Sequence, residues 1–278
     1  RQTCCEYRHA HKVSTAGKGS SNIFDILTLK QPMSRRLLIL IAALMALTWM
    51  SCTTKRDGRA YRLYHNTTAK YNGFFYANEA HAEAEVKLEE LHEERWDEVL
   101  PLFLESDDES AQQIFPLMER AIEKCTRVVD RHTMAPPKRM TKSFSRPVMN
   151  KWIDDNYTVI GKSYYLKGDY PKAEEIFTYL ARTVNGDDAE AWAYSWLGRT
   201  HMRAGDDVKA KNALAKAEGI RDASDEAMVH TLLVLAQYRI LTEEFEKAAR
   251  HLEDALPRMG KKDKERTRAT FVLAQCLR

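Results

Sequence analysis

Residues 156–180 read NYTVIGKSYYLKGDYPKAEEIFTYL, and this stretch decides the fold. Small and bulky residues recur in it at helical spacing on either side of Gly168, which indicates two short helices joined by a tight turn. Gly161 and Ala173 are small enough to let the two backbones approach, and Phe177 fills the space beside them. One such hairpin cannot bury its own apolar face, so the pattern predicts a stack of similar hairpins.

The same pattern recurs along the second half of the chain. The small residue of the first helix returns at spacings of 37, 38 and 38 residues, as Gly161, Gly198, Ala236 and Ala274. The small residue of the second helix returns at spacings of 37 and 38, as Ala173, Ala210 and Ala248. This repeat resembles the tetratricopeptide family, whose unit is a helical hairpin of 34 residues. We therefore predict an all-α fold, a tetratricopeptide-repeat right-handed α-solenoid of helical hairpins, with about three and a half repeats over residues 151–278.

The first 51 residues of the chain do not show the helical repeat. Residues 1–32 show no periodicity, and we expect them to be a disordered, non-native segment upstream of the true start at Met33. Residues 33–51 contain two arginines, the apolar core LLILIAALMAL and a serine directly before Cys52. This arrangement resembles a bacterial lipoprotein signal peptide, which implies that Cys52 is lipidated and anchors the protein to a membrane. An ordinary secretory signal or an uncleaved anchor are the alternatives.

The net charge of +3 comes from the part of the chain that such a signal would remove. Seven of the 43 Lys and Arg residues and two of the 40 Asp and Glu residues precede Cys52, so the rest carries 36 basic and 38 acidic residues and a net charge of −2. A nucleic-acid partner would require a basic stripe on the folded domain, so none is expected. A local basic cluster lies in the loop 133–150, where we expect a solvated connection.

Between the signal and the repeats lies a second module. Residues 52–78 are unusually aromatic, and we interpret them as an N-terminal tether and aromatic motif. Helical periodicity then predicts a divergent hairpin over residues 79–132, which would cap the solenoid. Its second helix is expected to begin at Asp107–Glu109, because acidic residues stabilise the first turn of a helix. At the other end of the chain, residues 270–277 match the first helix of a fourth repeat, so we expect a longer parent protein.

No catalytic motif occurs in the sequence. The phosphate-binding loop, the zinc-protease motif, the nucleophile elbow and the C-x-x-C motif are all missing, so we predict that the protein is not an enzyme and uses no cofactor or metal. The Glu-Ser pairs at Glu105 and Glu109 are similar to one in lytic transglycosylases, but a general acid needs a shaped cleft around it. Cys125 and Cys276 lie on apolar helix faces, where we expect free thiols.

The first helices of the repeats predict a partner-binding groove. Positions next to the small residue, and one turn away from it, should face the concave side of the solenoid. These positions combine basic and aromatic side chains that suit an acidic or extended peptide. Ordinary solvated helix positions are the alternative interpretation. The predicted groove residues are Lys162, Tyr165, Trp192, Arg199, Arg203, His230 and Gln237.

Several segments together carry a more specific resemblance. After the lipoprotein junction come YHNTTAKYNGFFYANEA at 64–80, WDEVLPLF at 96–103 and KWIDDNYTVIGKSYYLKGDY at 151–170. In order and spacing they resemble the SprE (PorW) family of gliding-motility lipoproteins of Bacteroidota. The resemblance implies an outer-membrane lipoprotein, facing the periplasm, that serves type IX protein secretion. Its implied role is to link the periplasmic ring of the secretion system to the outer-membrane translocon, through contacts with those proteins.

Two other classes of protein remain alternatives. SusD-like nutrient-binding lipoproteins are also built from helical repeats and also lipid-anchored, but they need long insertions that carry an aromatic sugar-binding platform. Assembly factors for outer-membrane barrels use lipidated repeats as well.

Overall fold

The computed structural model describes residues 58–134, 150–183 and 187–278, together with Ile39 and Ile41. The chain divides into two compact units, Arg1–Ser51 and Cys52–Arg278. In the first unit, Ile39 and Ile41 are helical. The predictions for the upstream segment, the rest of the signal peptide, the lipidation of Cys52 and nearly all of the basic loop 133–150 lie outside the described residues. All that follows concerns the second unit.

The described part of the second unit is helical and contains no strand. The α-helices are α1 (Arg59–Thr68), α2 (Phe75–Leu91), α3 (Asp108–His132), α4 (Ile153–Leu166), α5 (Tyr170–Thr183), α6 (Asp187–Arg203), α7 (Asp207–Gly219), α8 (Asp225–Leu241), α9 (Phe245–Ala255) and α10 (Lys264–Cys276). From α2 onward each helix packs against the next along the chain, and α6 also packs against α8. This succession of antiparallel neighbours confirms the predicted all-α solenoid of helical hairpins.

Each hairpin is held by a large side chain that fills the space above a small residue. A Cβ atom added to Gly161 would lie 2.6 Å from Cζ of Phe177, and one added to Gly198 would lie 2.4 Å from Cδ2 of Leu214. Both distances are shorter than any real carbon–carbon contact between side chains. Because protein interiors are closely packed, these positions leave no room for a larger residue. The same contact thus occurs in two successive hairpins, and this is why a small residue recurs after 37 residues, at Gly161 and Gly198.

The turns inside the hairpins share one backbone conformation. Gly168 and Gly205 have φ angles of 77° and 74°, and Glu243 holds the equivalent position with a φ of 57°. In each turn the following N–H group bonds to the carbonyl five residues earlier, for example from Asp169 to Tyr164 at 2.9 Å. This pattern ends a helix with a left-handed residue, which glycine adopts without strain. Glu243 keeps the conformation although its Cβ atom makes it less favourable.

The tether predicted for residues 52–78 is wrong from Arg59 onward. The chain there is helical, and α1 continues through a π-helical segment, Ala69–Phe74, into α2. The predicted start of the first hairpin helix at residue 79 is therefore also wrong. Within the π-helical segment a Cβ atom on Gly73 would lie 1.8 Å from Cγ2 of Val128, so glycine lets this segment press against α3. The Asn-Gly pair signals close packing here, whereas the sequence suggested an irregular tether.

The predicted start of the second cap helix is confirmed. Asp107 is the N-cap of α3 and its side chain accepts a hydrogen bond from the backbone N–H of Ser110 at 2.8 Å. The hydroxyl of Ser110 lies 2.9 Å from the backbone nitrogen of Asp107, which completes a reciprocal capping pair. The buried face of α3 then packs against α2 and α4, and it includes Ile114, Met118, Ala121 and Cys125.

Substitution of Gly198 by alanine is expected to destabilise the protein. The new methyl group would overlap Leu214, and overpacking of this kind costs ~1–3 kcal/mol in the free energy of unfolding. Gly219→Ala is the matched control, because a Cβ atom there meets nothing within 4 Å. Urea unfolding followed by circular dichroism measures both. Equal stability of the two variants would contradict the packing described for the hairpins.

Candidate functional site

The structure places the predicted groove residues on three helices. Lys162 and Tyr165 lie on α4, Trp192, Arg199 and Arg203 on α6, and His230 and Gln237 on α8. Several of them are brought into contact. The ring of Trp192 stacks on that of His230 with their centres 4.1 Å apart, and Nζ of Lys162 lies 5.3 Å from the Trp192 ring centre. The guanidinium of Arg199 lies 5.0 Å from the ring centre of Tyr165.

A stretch of the chain itself contacts five of these seven residues, which are Tyr165, Arg199, Arg203, His230 and Gln237. Residues 92–106, called the groove segment below, connect α2 to α3 and contain no helix. The early part of the segment contacts α10, its middle contacts α8, and its end contacts α6 and α4. The segment therefore crosses the first helices of the repeats in reverse order. Solvated helix positions, the alternative interpretation, do not describe Tyr165, Arg199 or Gln237, which are buried.

Two glutamine side chains hold the backbone of the groove segment. The side-chain oxygen of Gln237 accepts a hydrogen bond from the N–H of Leu102 at 2.6 Å. The amide of Gln275 makes two bonds, accepting from the N–H of Leu100 and donating to the carbonyl of Glu98, each at 3.0 Å. A primary amide satisfies a backbone donor and acceptor in the way a neighbouring strand does. The segment is thus bound through its backbone as a non-helical chain that bends at Leu102 and Phe103, and Leu100 and Leu102 are buried.

Two arginines bind the backbone on either side of these glutamines. Arg268 on α10 donates to the carbonyl of Pro101 at 2.6 Å and also pairs with both carboxylate oxygens of Glu94, at 2.6 and 3.3 Å. Arg203 on α6 donates to the carbonyl of Ser106 at 2.7 Å. These bonds from the two glutamines and the two arginines go to backbone groups of the groove segment, so they do not involve the side chains of Glu98, Leu100, Pro101, Leu102 or Ser106. These four groove side chains therefore bind the path of the segment's backbone and do not distinguish its side chains.

One carboxylate is recognised specifically. Glu105 accepts a hydrogen bond from Nη2 of Arg199 at 2.8 Å and another from the hydroxyl of Tyr165 at 2.5 Å. Burial lowers the pKa of Arg199, but the Glu105 carboxylate and the Tyr165 side chain together outweigh this effect, and the pKa lies above its ordinary value. The ring of Phe103 lies 4.0 Å from the Arg199 guanidinium, on which it can stack. An acidic and an aromatic side chain thus share one arginine.

Beside this arginine lies a cluster of cationic and aromatic groups in which His81 is buried and Lys162 and His230 are partly buried. Burial lowers the pKa of Lys162, and the positive charge of Arg199 lowers it further. Burial also places the pKa of His230 well below its ordinary value, and neither ring nitrogen of His230 has a hydrogen-bond partner. His81 on α2 has a pKa of about 4, first because of burial and second because of Lys162. These histidines are therefore neutral at pH 7.

The sequence pattern predicts neither a helix nor a strand for the groove segment, although the WDEVLPLF stretch within it contributes to the family resemblance. A usable signal was present. Loops of more than about 12 residues without secondary structure are uncommon in a compact domain and are often functional. This one carries a run of apolar residues around Pro101, which is unfavourable in a solvated loop. The sequence gives no indication of which surface of the protein covers this apolar run.

A second concave surface lies on the cap. It is a cleft of about 600 Å³ whose lining includes Lys70, Tyr71, Lys151 and Trp152. Nζ of Lys70 lies 4.9 Å from the ring centre of Trp152, and Nζ of Lys151 lies 5.4 Å from it. The lysines of the cleft are therefore already engaged by an aromatic ring. The groove, with its continuous set of directed hydrogen bonds, is the stronger candidate for a functional site.

Three further observations bear on the nature of the site. Across residues 58–134, 150–183 and 187–278, no three His, Cys, Asp or Glu side chains come together in a way that could hold a metal ion. Cys125 and Cys276 are free thiols, as expected. In the part of the chain that the structure describes, none of the helices combines the length and apolar character needed to cross a membrane.

Comparison with known proteins does not identify a family. No protein-family model matches the chain, and no curated protein matches it.

Gln237→Leu is expected to lower the free energy of unfolding by about 1–3 kcal/mol, because it leaves the buried N–H of Leu102 without an acceptor. Gln112→Leu is the matched control, since Gln112 is exposed on α3. Chemical denaturation of both variants tests the prediction. A loss no larger for Gln237→Leu than for the control would show that this bond does not hold the groove segment in place.

Acidification is expected to destabilise the protein through His81. Its pKa is about 4 in the folded chain and 6.5 in the unfolded chain, so the unfolded chain binds the additional proton as the pH falls through this window. His81 makes its full contribution to the free energy of unfolding above pH 6.5, and about 2 kcal/mol of that contribution is lost at pH 5. His81→Gln should show a shallower decline in stability between pH 7 and pH 5, measured by urea unfolding. Parallel profiles for the two proteins would contradict this assignment.

Proposed function

We propose that the protein is a non-enzymatic scaffold of the type IX secretion system and gliding motility. In this proposal it is anchored in the outer membrane by a lipid on Cys52 and faces the periplasm. It links the periplasmic ring to the outer-membrane translocon through protein–protein contacts. The proposal is supported by the resemblance to the SprE (PorW) family in the lipoprotein junction and in the three segments 64–80, 96–103 and 151–170.

The observation that supports a protein-binding role most directly is the manner in which the groove holds a peptide chain. Four side chains from three helices, Gln237, Gln275, Arg203 and Arg268, bind the backbone of a non-helical segment. Recognition of an extended peptide by side chains arrayed along a concave surface is a general mode of protein–protein binding. A scaffold built in this way needs no reacting group, only surfaces that bind other proteins.

A SusD-like nutrient-binding lipoprotein is the second candidate. It would require an aromatic platform built in long insertions between repeats. The described connections between successive hairpins are short, at residues 220–224 and 256–263. The long connection 92–106 turns its Phe103 toward Arg199 and His230 inside the groove. These features favour the scaffold, whereas an assembly factor for outer-membrane barrels has the same architecture and is distinguished only by its partners.

The experiment is a pull-down of the lipidated protein from its own membranes after mild crosslinking, with partners identified by mass spectrometry. Recovery of both the periplasmic ring and the outer-membrane translocon is expected for the proposed scaffold. Cys52→Ser is the matched control. It removes the attachment point of the lipid and should release the protein from the membrane fraction and reduce recovery of the translocon.

Two results would overturn the proposal. Recovery of a nutrient transporter would favour the SusD-like alternative, and recovery of the barrel-assembly machinery would favour an assembly factor. Retention of the Cys52→Ser protein in the membrane fraction to the same extent as the wild type would separately contradict a lipid anchor at this cysteine.

A further inference from the structure

We infer that the groove segment is a built-in ligand that a partner protein replaces. The partner would supply an extended peptide with apolar side chains at the positions of Leu100, Leu102 and Phe103, followed by a glutamate at the position of Glu105. This inference rests on the proposed scaffold function and specifies one of its binding surfaces and the chemistry of the peptide that the surface accepts.

The first step of the argument concerns the backbone. Gln275, Arg268, Gln237 and Arg203 bind backbone groups of residues between Glu98 and Ser106. A different peptide that follows the same backbone path, with the bend at the positions of Leu102 and Phe103, offers its N–H and carbonyl groups at the same places. Replacement of the segment would therefore leave none of these polar side chains without a partner, which would otherwise be costly in a buried groove.

The second step concerns selectivity. Arg199 is buried, and its positive charge requires a carboxylate in place of Glu105. Tyr165 donates to the same carboxylate, so two donors fix its position. A peptide without an acidic residue at this point would leave Arg199 as an unpaired buried charge. The groove therefore accepts peptides with glutamate at one position and selects against others.

The third step concerns release. In the described chain, the only backbone–backbone hydrogen bond of residues 94–106 outside helices is internal, from the N–H of Glu98 to the carbonyl of Arg95. The segment is held by side chains of other elements and has only Leu100, Leu102 and Ser106 buried. Leu100 and Leu102 pack on the core between α8, α9 and α10, but they are the only two buried apolar side chains of the segment. Exposing them costs less free energy than global unfolding, in which every hairpin loses its core. The segment can leave the groove while the helical hairpins stay packed.

The fourth step concerns competition. Both ends of the segment are joined to helices, α2 and α3, so its effective concentration at the groove is in the millimolar range typical of short tethers. A free peptide with the same sequence must compete with it. The apparent dissociation constant of such a peptide is therefore its intrinsic dissociation constant divided by the fraction of time for which the segment leaves the groove empty. Weakening the segment alone should increase the affinity for the free peptide.

The test uses a fluorescein-labelled peptide with the sequence of residues 94–106, ERWDEVLPLFLES, added to the full chain. Fluorescence anisotropy measures its binding. The released variant carries Leu102→Ser and Phe103→Ser, which remove apolar anchors of the segment and leave the groove unchanged. The matched control carries Asp97→Ser at an exposed position of the same segment. Circular dichroism verifies that both proteins remain helical.

The released variant is expected to bind the peptide at least ~10-fold more tightly than the wild type and the Asp97→Ser control do, because the competing segment no longer occupies the groove. A peptide with glutamine in place of its Glu105 should bind the released variant about 10-fold less tightly, because the charge-assisted bonds to Arg199 and Tyr165 are lost. Equal affinity of the wild type and a folded released variant, or no effect of the glutamine, would overturn the inference.

A measurement on the wild-type chain covers the case in which the released variant does not fold. Hydrogen exchange of the Leu100 and Leu102 amides should be at least ~10-fold faster than that of the slowest amides in α6 and α8, since the segment opens locally. Exchange of these two amides only at the rate of the slowest ones would mean that the segment leaves with global unfolding, which contradicts the inference. These results are independent of the crosslinking experiment, so a failed inference leaves the scaffold proposal open to its own test.

Discussion

The pairing of Arg199 with Glu105 is the interaction on which the arrangement of the concave side depends. Arg199 follows Gly198, the small residue of its hairpin, and it is buried on α6. A buried guanidinium needs a carboxylate, and Glu105 supplies it from 94 residues earlier in the chain. To bring Glu105 there, the connection between α2 and α3 must leave the cap and cross the groove. The long non-helical segment is a consequence of this requirement.

Once the segment crosses the groove, the other contacts follow from it. The glutamines on α8 and α10 bind its backbone, and the apolar side chains of Leu100 and Leu102 complete the core between these helices. The cap and the last repeat are thereby joined by a chain that touches four helices in turn. For a protein that binds others through this surface, the same contacts define the chemistry of a competing peptide. The contacts that hold the groove segment in place are therefore the same contacts that a partner peptide would make when it replaces the segment.

The repeats could be predicted from the sequence because their determining contact is local. Gly161 and Phe177 are 16 residues apart, and the pair recurs as Gly198 and Leu214 at the same separation. Helical geometry also indicates which residues lie next to the small one, and of these Arg199 and Gln237 contact the groove segment. The left-handed turn at Glu243 keeps the conformation of Gly168 and Gly205, which shows that the surrounding hairpin determines it.

Two features could not be predicted, for physical reasons. The contact between Leu100 and Gln275 spans 175 residues, and no local pattern indicates that the two will meet. The continuous helix across Asn72 and Gly73 depends on the fit of Gly73 against Val128 of α3, which overrides a dipeptide that commonly marks a turn. In both cases the determining contact is tertiary. Propensity and periodicity describe a segment alone, and they give no account of the surface that receives it.

The most direct test is a double-mutant cycle on the Arg199–Glu105 pair. Glu105→Gln, Arg199→Met and the double variant are compared with the wild type by urea unfolding. If the pair anchors the segment in the groove, the two residues are coupled by about 2 kcal/mol or more, as found for close charge pairs at desolvated contacts. Additive losses, with a coupling below about 0.5 kcal/mol, would mean that Glu105 and Arg199 do not depend on each other and would contradict the account.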